Sequence, residues 1–211
     1  MDLKSKIFLI AGPTASGKSS FAIQLAKKVN GEIINADSMQ VYKQFKILTA
    51  RPKFNKINNV IHHLYGFLDV KKKFSTGKWL NLTIKKVNII KKKNKIPILV
   101  GGTGLYFKAL TEGLVKIPNI PIKTRNETRK LQKKIGQKKF YQKLLKIDKF
   151  SKNIINKNDV QRSIRAYEVK KFTKISLFEW FKKTKKIFEP NDFVKIYIDY
   201  PRESLIKRIN L

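Results

Sequence analysis

A glycine-rich loop between an apolar run and an amphipathic stretch constrains the fold of this chain more than any other feature. Residues 10–28 read IAGPTASGKSSFAIQLAKK and fit the pattern G-x-x-x-x-G-K-[ST] at Gly12, Gly17, Lys18 and Ser19. In such a loop the glycines allow a tight turn, the backbone N–H groups point at phosphate oxygens, the lysine adds positive charge and the hydroxyl can bind magnesium. The pattern therefore predicts a phosphate site at a helix N-terminus.

The sequence on either side supplies the strand and the helix that such a loop requires. KIFLIAG, residues 6–12, predicts a short buried strand. After the loop, apolar residues recur at helical spacing and predict the buried side of a helix: Phe21, Ile23, Leu25, Ala26 and Val29. The strand, loop and helix together form the unit that is typical of phosphate-binding α/β proteins.

The charge of the chain suggests a polyanionic partner, although lysine enrichment explains part of it. The net charge is +34, from 48 basic and 14 acidic residues, but only 7 of the basic residues are arginine. Asn and Ile are also abundant, as in proteomes with AT-rich codons, so lysine runs such as 71–73 and 91–93 are read as solvated faces. The few arginines are the better candidates for contacts to nucleic acid.

Composition also excludes several classes of function. The chain has no cysteine, which excludes disulfides, thiol catalysis and thiolate metal sites. It has no apolar run of membrane-spanning length and no signal peptide at its start, so we expect a cytoplasmic protein without a membrane partner. Its 211 residues suffice for one domain, or for one domain with an insertion.

The order of the predicted elements indicates an α/β fold, a P-loop NTPase-like parallel sheet flanked by helices, with a helical insertion domain. Strands are predicted at 31–37 and from 96, and a helix at 76–93 that Ser75 caps. Such alternation places functional sites at the carboxyl ends of parallel strands. The predicted domains are a P-loop α/β core over 1–120, a basic helical insertion over 121–190, and a return to the core over 191–211.

The loop alone does not identify the reaction. A kinase or another NTPase is the default expectation for it, and such enzymes hold magnesium with an acidic residue at the end of an apolar strand. Both Asp37 and Asp199 follow such strands. The two candidates therefore leave a small-molecule or nucleotide kinase open as an alternative.

Six segments taken together are more specific than the loop. In chain order they read GPTASGKSS, NADSMQVYK, TARP, HHL, LVGGTGLYFKAL and NDVQRSIRAYEV. On these segments the chain resembles the tRNA dimethylallyltransferases over essentially its whole length, from residue 6 onward. The resemblance implies transfer of a dimethylallyl group from dimethylallyl diphosphate to the N6 amine of an adenosine, giving N6-isopentenyladenosine. That adenosine is the one immediately 3′ of the anticodon in tRNAs that read codons starting with U.

The resemblance also implies a role for individual residues. It makes Asp37 the proton acceptor and places Thr14 at the breaking bond of the donor. It implies that the diphosphate is bound by Gly12, Pro13, Thr14, Ala15, Ser16, Gly17, Lys18 and Ser19, with Ser19 also holding the cofactor Mg²⁺. It implies contacts to tRNA from Asp37, Ser38, Met39, Gln40, Thr103, Arg125, Gln161, Arg162, Ser163, Ile164 and Arg165. The expected partners are tRNA and dimethylallyl diphosphate, and the expected state is a monomer.

Several of these residues have structural alternatives. Asp37 could cap a helix or hold magnesium through water, and Arg162 and Arg165 could pair with Asp159 and Glu168. His62 and His63 are not read as metal ligands, because adjacent side chains point in different directions on a regular element. A basic nucleic-acid-binding protein without chemistry is the third functional class that the sequence leaves open.

The resemblance carries one further expectation, about the end of the chain. Members of the family continue beyond the position of Leu211 with further helices and an arginine that reaches the diphosphate. We therefore expect the 211 residues alone to show weak prenyl transfer. We also expect exposed apolar surface around residues 192–201, because a strand of that composition needs cover on both faces.

Overall fold

The computed structural model describes residues 3–51, 56–57 and 59–210, so Pro52 of the TARP segment and the terminal Leu211 lie outside the described residues. The chain divides into two compact units. The first comprises the residues up to Glu112 and those from Lys186 onward, and the second is Gly113–Lys185. The boundaries predicted from sequence lie a few residues later, at 120 against 112 and at 190 against 185.

The first unit is built on a six-stranded sheet. Its strands are β1 (Ile7–Ala11), β2 (Gly31–Asn35), β3 (Lys56–Ile57), β4 (Val60–His63), β5 (Ile96–Gly101) and β6 (Phe193–Tyr197). Their order across the sheet is β3-β4-β2-β5-β1-β6, and every neighbouring pair is parallel except β3 with β4. The predicted parallel sheet flanked by helices is thereby confirmed.

The helices follow the strands as the alternation predicts. They are α1 (Lys18–Lys28), α2 (Thr76–Lys92), α3 (Gly104–Glu112), α4 (Ile122–Ile147), α5 (Val160–Thr173), α6 (Leu177–Lys182) and α7 (Arg202–Ile209), with 3-10 turns at Leu3–Ser5, Lys149–Asn153 and Pro190–Asp192. Ser75 caps α2 as predicted, because its hydroxyl accepts the backbone N–H of Lys78 at 3.3 Å. None of the helices in the described residues is long and apolar enough to cross a membrane.

The sheet is buried on both faces because successive side chains of a strand point in opposite directions. In β1, Ile7 and Leu9 face a cluster that contains Trp79 and Val87 of α2. Phe8 and Ile10 face a second cluster with residues of α1. All four β1 residues from Ile7 to Ile10 are buried, which fixes the phosphate loop to a rigid strand end.

The prediction for the buried side of α1 was wrong at Phe21, which is 40% exposed. Ala26 is buried as predicted and Ala22 is buried in addition, whereas Ile23, Leu25 and Val29 pack only partly against the same cluster. The two alanines lie one turn apart and carry small side chains, so they bring the helix close to the sheet. The edge strand β6 buries Phe193 but leaves Tyr197 68% exposed.

The second unit, taken by itself, is helical and has its own core. In the described residues from 113 to 185 the ordered elements are helices and one 3-10 turn. Phe140 and Leu144 of α4 pack with Tyr167 and Val169 of α5 in one buried cluster. The helix α4 changes direction at Gly136, whose φ of 74° lies outside the helical region.

A buried carboxylate lies near the start of β2. Glu32 has 1% of its side chain exposed. Its carboxylate oxygens lie within 4.0 Å of three basic groups: His63 Nε2 at 2.7 Å, Lys95 Nζ at 3.0 Å and Lys93 Nζ at 3.8 Å. Burial acts to raise the pKa of Glu32, but the hydrogen bonds and charges of His63 and Lys95 outweigh it, and the pKa lies below its ordinary value. His63, on β4, is therefore hydrogen-bonded to Glu32 and ties β4 to β2.

We predict that Glu32→Gln lowers the free energy of unfolding at pH 7 by about 1.5–3 kcal/mol, the usual range for hydrogen bonds to a charged group, because it removes the anion that three basic groups share. A carboxylate with a lowered folded pKa stabilises the protein above its unfolded pKa and ceases to do so as the pH falls through the folded value. The difference between Glu32→Gln and wild type should therefore vanish at acidic pH, below the ordinary carboxyl range, in denaturant unfolding.

The matched control is Glu112→Gln, since Glu112 pairs with Lys108 at 3.6 Å with both side chains more than half exposed. We expect it to change stability by less than about 0.5 kcal/mol. An effect of Glu32→Gln no larger than that of the control would contradict the assigned role of Glu32.

Candidate active site

The loop between β1 and α1 has the geometry of a phosphate-binding loop. Gly17 adopts φ 87° immediately before the first helical residue, in the left-handed region that glycine occupies without strain. At Gly12 a Cβ atom would lie 2.7 Å from the carbonyl oxygen of Ile198, so only glycine fits beside that backbone. The α1 N-terminus is therefore directed at the space that the loop encloses.

Two side chains of the loop have polar groups whose hydrogen bonding is incomplete within the described residues. Ser16 is only 6% exposed, and no hydrogen-bond partner of its hydroxyl is found among the described residues. The Lys18 ammonium donates to the Pro13 carbonyl within the loop. Burial lowers the pKa of Lys18, while the charge of Asp37 acts in the opposite direction. An anion in the loop would satisfy both groups.

The loop forms one wall of a cavity of about 320 Å³. Its lining combines the loop with residues from three other segments of the first unit: Thr14, Ala15, Ser16, Gly17, Lys18, Ser19, Ser20, Asp37, Gln40, Thr49, Ala50, Tyr65, Val100 and Gly101. Most of the residues predicted to bind the diphosphate thus line one cavity together with Asp37, whereas Gly12 and Pro13 support the loop from behind. We call this space the loop cavity.

Asp37 is held in place by the residues just before and after it. The Asn35 side chain accepts the backbone N–H of Asp37 at 2.9 Å and donates to the Asp37 carbonyl at 2.9 Å. One carboxylate oxygen of Asp37 accepts the Met39 backbone N–H at 2.8 Å, so Asp37 forms a turn and caps none of the described helices. Within the described residues, its other oxygen has no hydrogen-bond donor and remains available to a substrate.

The end of β5 fixes the segment that carries Asp37. A Cβ atom at Gly101 would lie 2.2 Å from both the carbonyl carbon and the oxygen of Ala36, so glycine alone allows the two backbones to come this close. The Thr103 hydroxyl accepts the Ser38 backbone N–H at 2.9 Å and donates to the Ser38 hydroxyl at 3.3 Å. Thr103 and Ser38, both predicted to meet tRNA, are therefore hydrogen-bonded to each other.

A second cavity of about 360 Å³ shares a wall with the loop cavity. It is lined by Thr14, Asp37, Met39, Phe45, Leu48, Thr49 and Ala50. Met39 and Leu48 are 50% and 86% exposed, so this cavity has an apolar and open rim. Gln40, predicted to contact tRNA, donates to the Thr49 carbonyl at 2.7 Å and holds that rim in place. We call this space the open cavity.

Sequence reasoning missed several residues of this site. Tyr65 and His62 line a small recess of about 160 Å³ beside Ser19, with their rings in edge contact at 5.8 Å. Burial raises the pKa of Tyr65, and the charge of Asp37 acts in the same direction. Burial lowers the pKa of His62. Thr49 and His62 lay in the TARP and HHL segments without an assigned role, and Tyr65 gave no signal because only the fold brings it to the cavity.

The donor set suits a metal ion that is held largely by its substrate. Among the described residues no group of three or more His, Cys, Asp and Glu side chains could hold a metal by itself. Ser19 and Asp37 line the same cavity, whereas Asp199 is exposed and does not line it. Magnesium commonly takes one or two protein ligands and completes its shell with phosphate oxygens and water, which a hydroxyl in a phosphate loop can accommodate.

The remaining residues predicted to contact tRNA lie in the helical unit. Gln161 and Arg162 are exposed, but Ser163 and Ile164 are buried in the packing of α5. Arg162 Nη1 pairs with Asp159 Oδ2 at 2.8 Å, and Arg165 Nη1 lies 3.7 Å from Glu168 Oε2. Both arginines therefore form the ion pairs that were the structural alternative.

The fold and the site define the class: an α/β protein with a phosphate loop and a carboxylate between two adjoining cavities. Residues 40–211 match the family model described as IPP transferase. The chain therefore belongs to the IPP transferase family. The matched region begins after the phosphate loop and Asp37, which are covered by the relatives described next.

Two relatives named tRNA dimethylallyltransferase align over nearly all of the chain. The protein of Pelagibacter ubique (strain HTCC1062) is 63% identical over 211 residues, which are 100% of this chain and 67% of that protein. The protein of Rickettsia massiliae (strain Mtu5) is 43% identical over 205 residues, which are 97% of this chain and 56% of that protein. The chain thus spans two thirds or less of the length of these relatives.

Solved structures agree with the fold. A eukaryotic dimethylallyltransferase acting on tRNA superposes with a TM-score of 0.82 at 29% identity, covering 97% of this chain and 51% of that chain. The full-length tRNA isopentenylpyrophosphate transferase of Bacillus halodurans gives a TM-score of 0.60 at 32% identity, covering 98% of this chain and 64% of that chain. The resemblance stated from the sequence is therefore confirmed at the level of the family.

We predict that Gly101→Ala destabilises the first unit and displaces Asp37, because the added methyl group would overlap the Ala36 backbone. Overpacking of this kind costs about 1–3 kcal/mol, measured as a loss of unfolding free energy in denaturant. Gly104→Ala is the matched control in the same glycine-rich turn, since a Cβ there meets nothing within 4 Å. Equal stability of the two variants would contradict the close approach of β5 to the Asp37 segment.

Proposed function

We propose that this chain transfers a dimethylallyl group from dimethylallyl diphosphate to the N6 amine of the adenosine immediately 3′ of the anticodon of tRNA. The observation that carries the proposal is the shared wall of the two cavities. Thr14 and Asp37 line both the loop cavity and the open cavity. A donor bound in the first and an acceptor bound in the second would meet at these two residues.

The loop cavity suits the diphosphate of the donor. Backbone N–H groups at the α1 N-terminus, the Lys18 ammonium and the Ser16 hydroxyl recognise an anion rather than a base. They would stabilise the negative charge that develops on the diphosphate as its bond to the prenyl carbon breaks. When bound, Mg²⁺ would neutralise the same leaving group, with Ser19 as its protein ligand.

The open cavity suits the adenine of a nucleotide that has left its stack. Its apolar side chains Met39, Phe45 and Leu48 offer contact to a base, and Asp37 offers an acceptor for the amine. The amine nitrogen forms a bond to the prenyl carbon, the carbon–oxygen bond breaks, and the diphosphate leaves with the electron pair. The nitrogen's proton goes to the free oxygen of Asp37.

The charge of the chain supports RNA as the carrier of the adenosine. The net charge of +34 favours a polyanion, and the arginines of the helical unit are the candidates for backbone contacts. The names of the relatives support tRNA in particular. We further propose that the chain acts as a monomer in the cytoplasm, together with its proposed tRNA substrate.

We predict that dimethylallyl diphosphate with magnesium binds more tightly than ATP. The phosphate loop recognises a diphosphate, and we assign adenine binding to the open cavity rather than to the loop cavity. Lys18→Ala should abolish this preference in titration calorimetry. Lys28→Ala, at the exposed end of α1, is the control and should change neither affinity. Tighter binding of ATP together with phosphate transfer would instead support a kinase.

We predict that Asp37→Asn lowers the single-turnover rate of prenyl transfer by about a hundredfold or more, the usual contribution of a general base. Affinity for tRNA should stay nearly unchanged, because the amide keeps the size of the side chain. Asp199→Asn makes the same charge change at an exposed position outside both cavities and should retain the full rate. A wild-type rate in Asp37→Asn would contradict the assignment of Asp37 as base.

A further inference from the structure

The helical unit contains a buried carboxylate that its neighbours satisfy only in part. Glu168 on α5 is 3% exposed, and its Oε1 has no hydrogen-bond partner among the described residues. Its other oxygen lies 3.7 Å from Arg165 Nη1, which is an ion pair but too long for a hydrogen bond. A buried carboxylate with an unpartnered oxygen is costly to the fold, so its presence calls for an explanation.

An arginine of the neighbouring helix is incompletely satisfied at the same place. Arg125 on α4 has a buried Nε atom for which the described residues provide no acceptor. The charges of Arg125, Arg165 and Arg129 all act on the pKa of Glu168 and favour its ionised form, although burial is the larger effect and leaves the pKa raised. The structure shows an ion pair of Glu168 with Arg165, and the charges of Arg125 and Arg129 add to the positive field that acts on this carboxylate.

We propose that Glu168 is a positioning residue that holds the Arg165 guanidinium in place, so that it binds one backbone phosphate of the RNA. The inference rests on the proposed function for the identity of the ligand. Arg165 keeps 39% of its side chain exposed, so its guanidinium can reach a ligand while the carboxylate behind it stays buried. Guanidinium groups suit this task because their planar array of donors matches phosphate oxygens.

The carboxylate and the phosphate have separate tasks in this arrangement. Burial lowers the pKa of Arg165, and the charge of Glu168 acts in the opposite direction. Glu168 holds the Arg165 guanidinium through their 3.7 Å ion pair in the free protein. A bound phosphate would then accept hydrogen bonds from the exposed part of the same guanidinium, while Glu168 stays buried behind it.

The test uses the sign of the charge change. Glu168→Gln removes a negative charge from a protein that binds a polyanion, so electrostatics alone would tighten binding of RNA. A positioning role gives the opposite result, a weaker binding of RNA.

We expect the dissociation constant of Glu168→Gln for an anticodon stem–loop RNA to rise about tenfold, the size of one charge-assisted hydrogen bond. The slope of log K against log salt should also fall by about 0.7–0.9, as for one lost phosphate contact.

Glu127→Gln is the matched control, because Glu127 lies on α4 of the same unit in an exposed pair with Lys171 at 3.5 Å. It should bind the RNA as tightly as wild type or slightly more tightly. If Glu168 acts through Arg165, the double variant Glu168→Gln with Arg165→Ala should bind no more weakly than Arg165→Ala alone. Full additivity of the two losses, or binding by Glu168→Gln as tight as by the control, would overturn the proposal.

A third variant keeps the test decisive if Glu168→Gln does not fold. Arg165→Lys preserves the charge and the salt bridge but loses the planar donor array, and it should also weaken binding several-fold. Wild-type affinity in Arg165→Lys would overturn the proposal. Because RNA binding is measured without the prenyl donor, a failure here leaves the proposed reaction standing. If the chain transfers no prenyl group but the variants bind RNA as predicted, the proposed function is refuted and the inference about Glu168 is not.

Discussion

The close approach of two strand ends is the constraint on which the site depends. Gly101 at the end of β5 lies against the backbone of Ala36, and Thr103 hydrogen-bonds both the backbone and the hydroxyl of Ser38. Parallel pairing of β1, β2 and β5 brings their carboxyl ends to one edge of the sheet. As a result, the phosphate loop and Asp37 face the same cavity although Asp37 follows Ser19 by 18 positions in the chain.

The free protein contains several polar groups whose partners are incomplete within the described residues. Ser16 and Lys18 line the loop cavity with a free hydroxyl and an ammonium bound only to its own loop. In the helical unit, Arg125 and Glu168 each leave one buried atom unpartnered. Both places carry positive charge, and phosphate oxygens could accept hydrogen bonds from the Ser16 hydroxyl, the Lys18 ammonium and the arginines. The two units thus offer the same kind of binding chemistry, one proposed for the diphosphate and one for the RNA backbone.

Much of the fold could be predicted from the sequence because its local signals are strong. The strand before Gly12, the helix that Ser75 caps and the strand before Gly101 all have clear periodicity or capping residues. The short strands β3 and β4 escaped prediction because two and four residues carry too little pattern. The prediction for Phe21 was wrong because helical spacing does not specify which of two adjacent faces of a helix packs against the sheet. In α1 the packed face is the one that carries Ala22 and Ala26.

The candidate site was predictable only where its residues lie near strand ends. The positions of Asp37, Thr14 and Thr103 follow from their motifs, whereas Tyr65 and Phe45 reach the cavities through long-range packing that leaves no pattern in the sequence. The central claim, prenyl transfer to an adenosine, is tested most directly by mass spectrometry of an anticodon stem–loop RNA after incubation of the chain with dimethylallyl diphosphate and magnesium. The proposal predicts a gain of one C5H8 group on the adenosine 3′ of the anticodon. An unmodified RNA, with phosphate transferred from ATP to a small molecule instead, would contradict it.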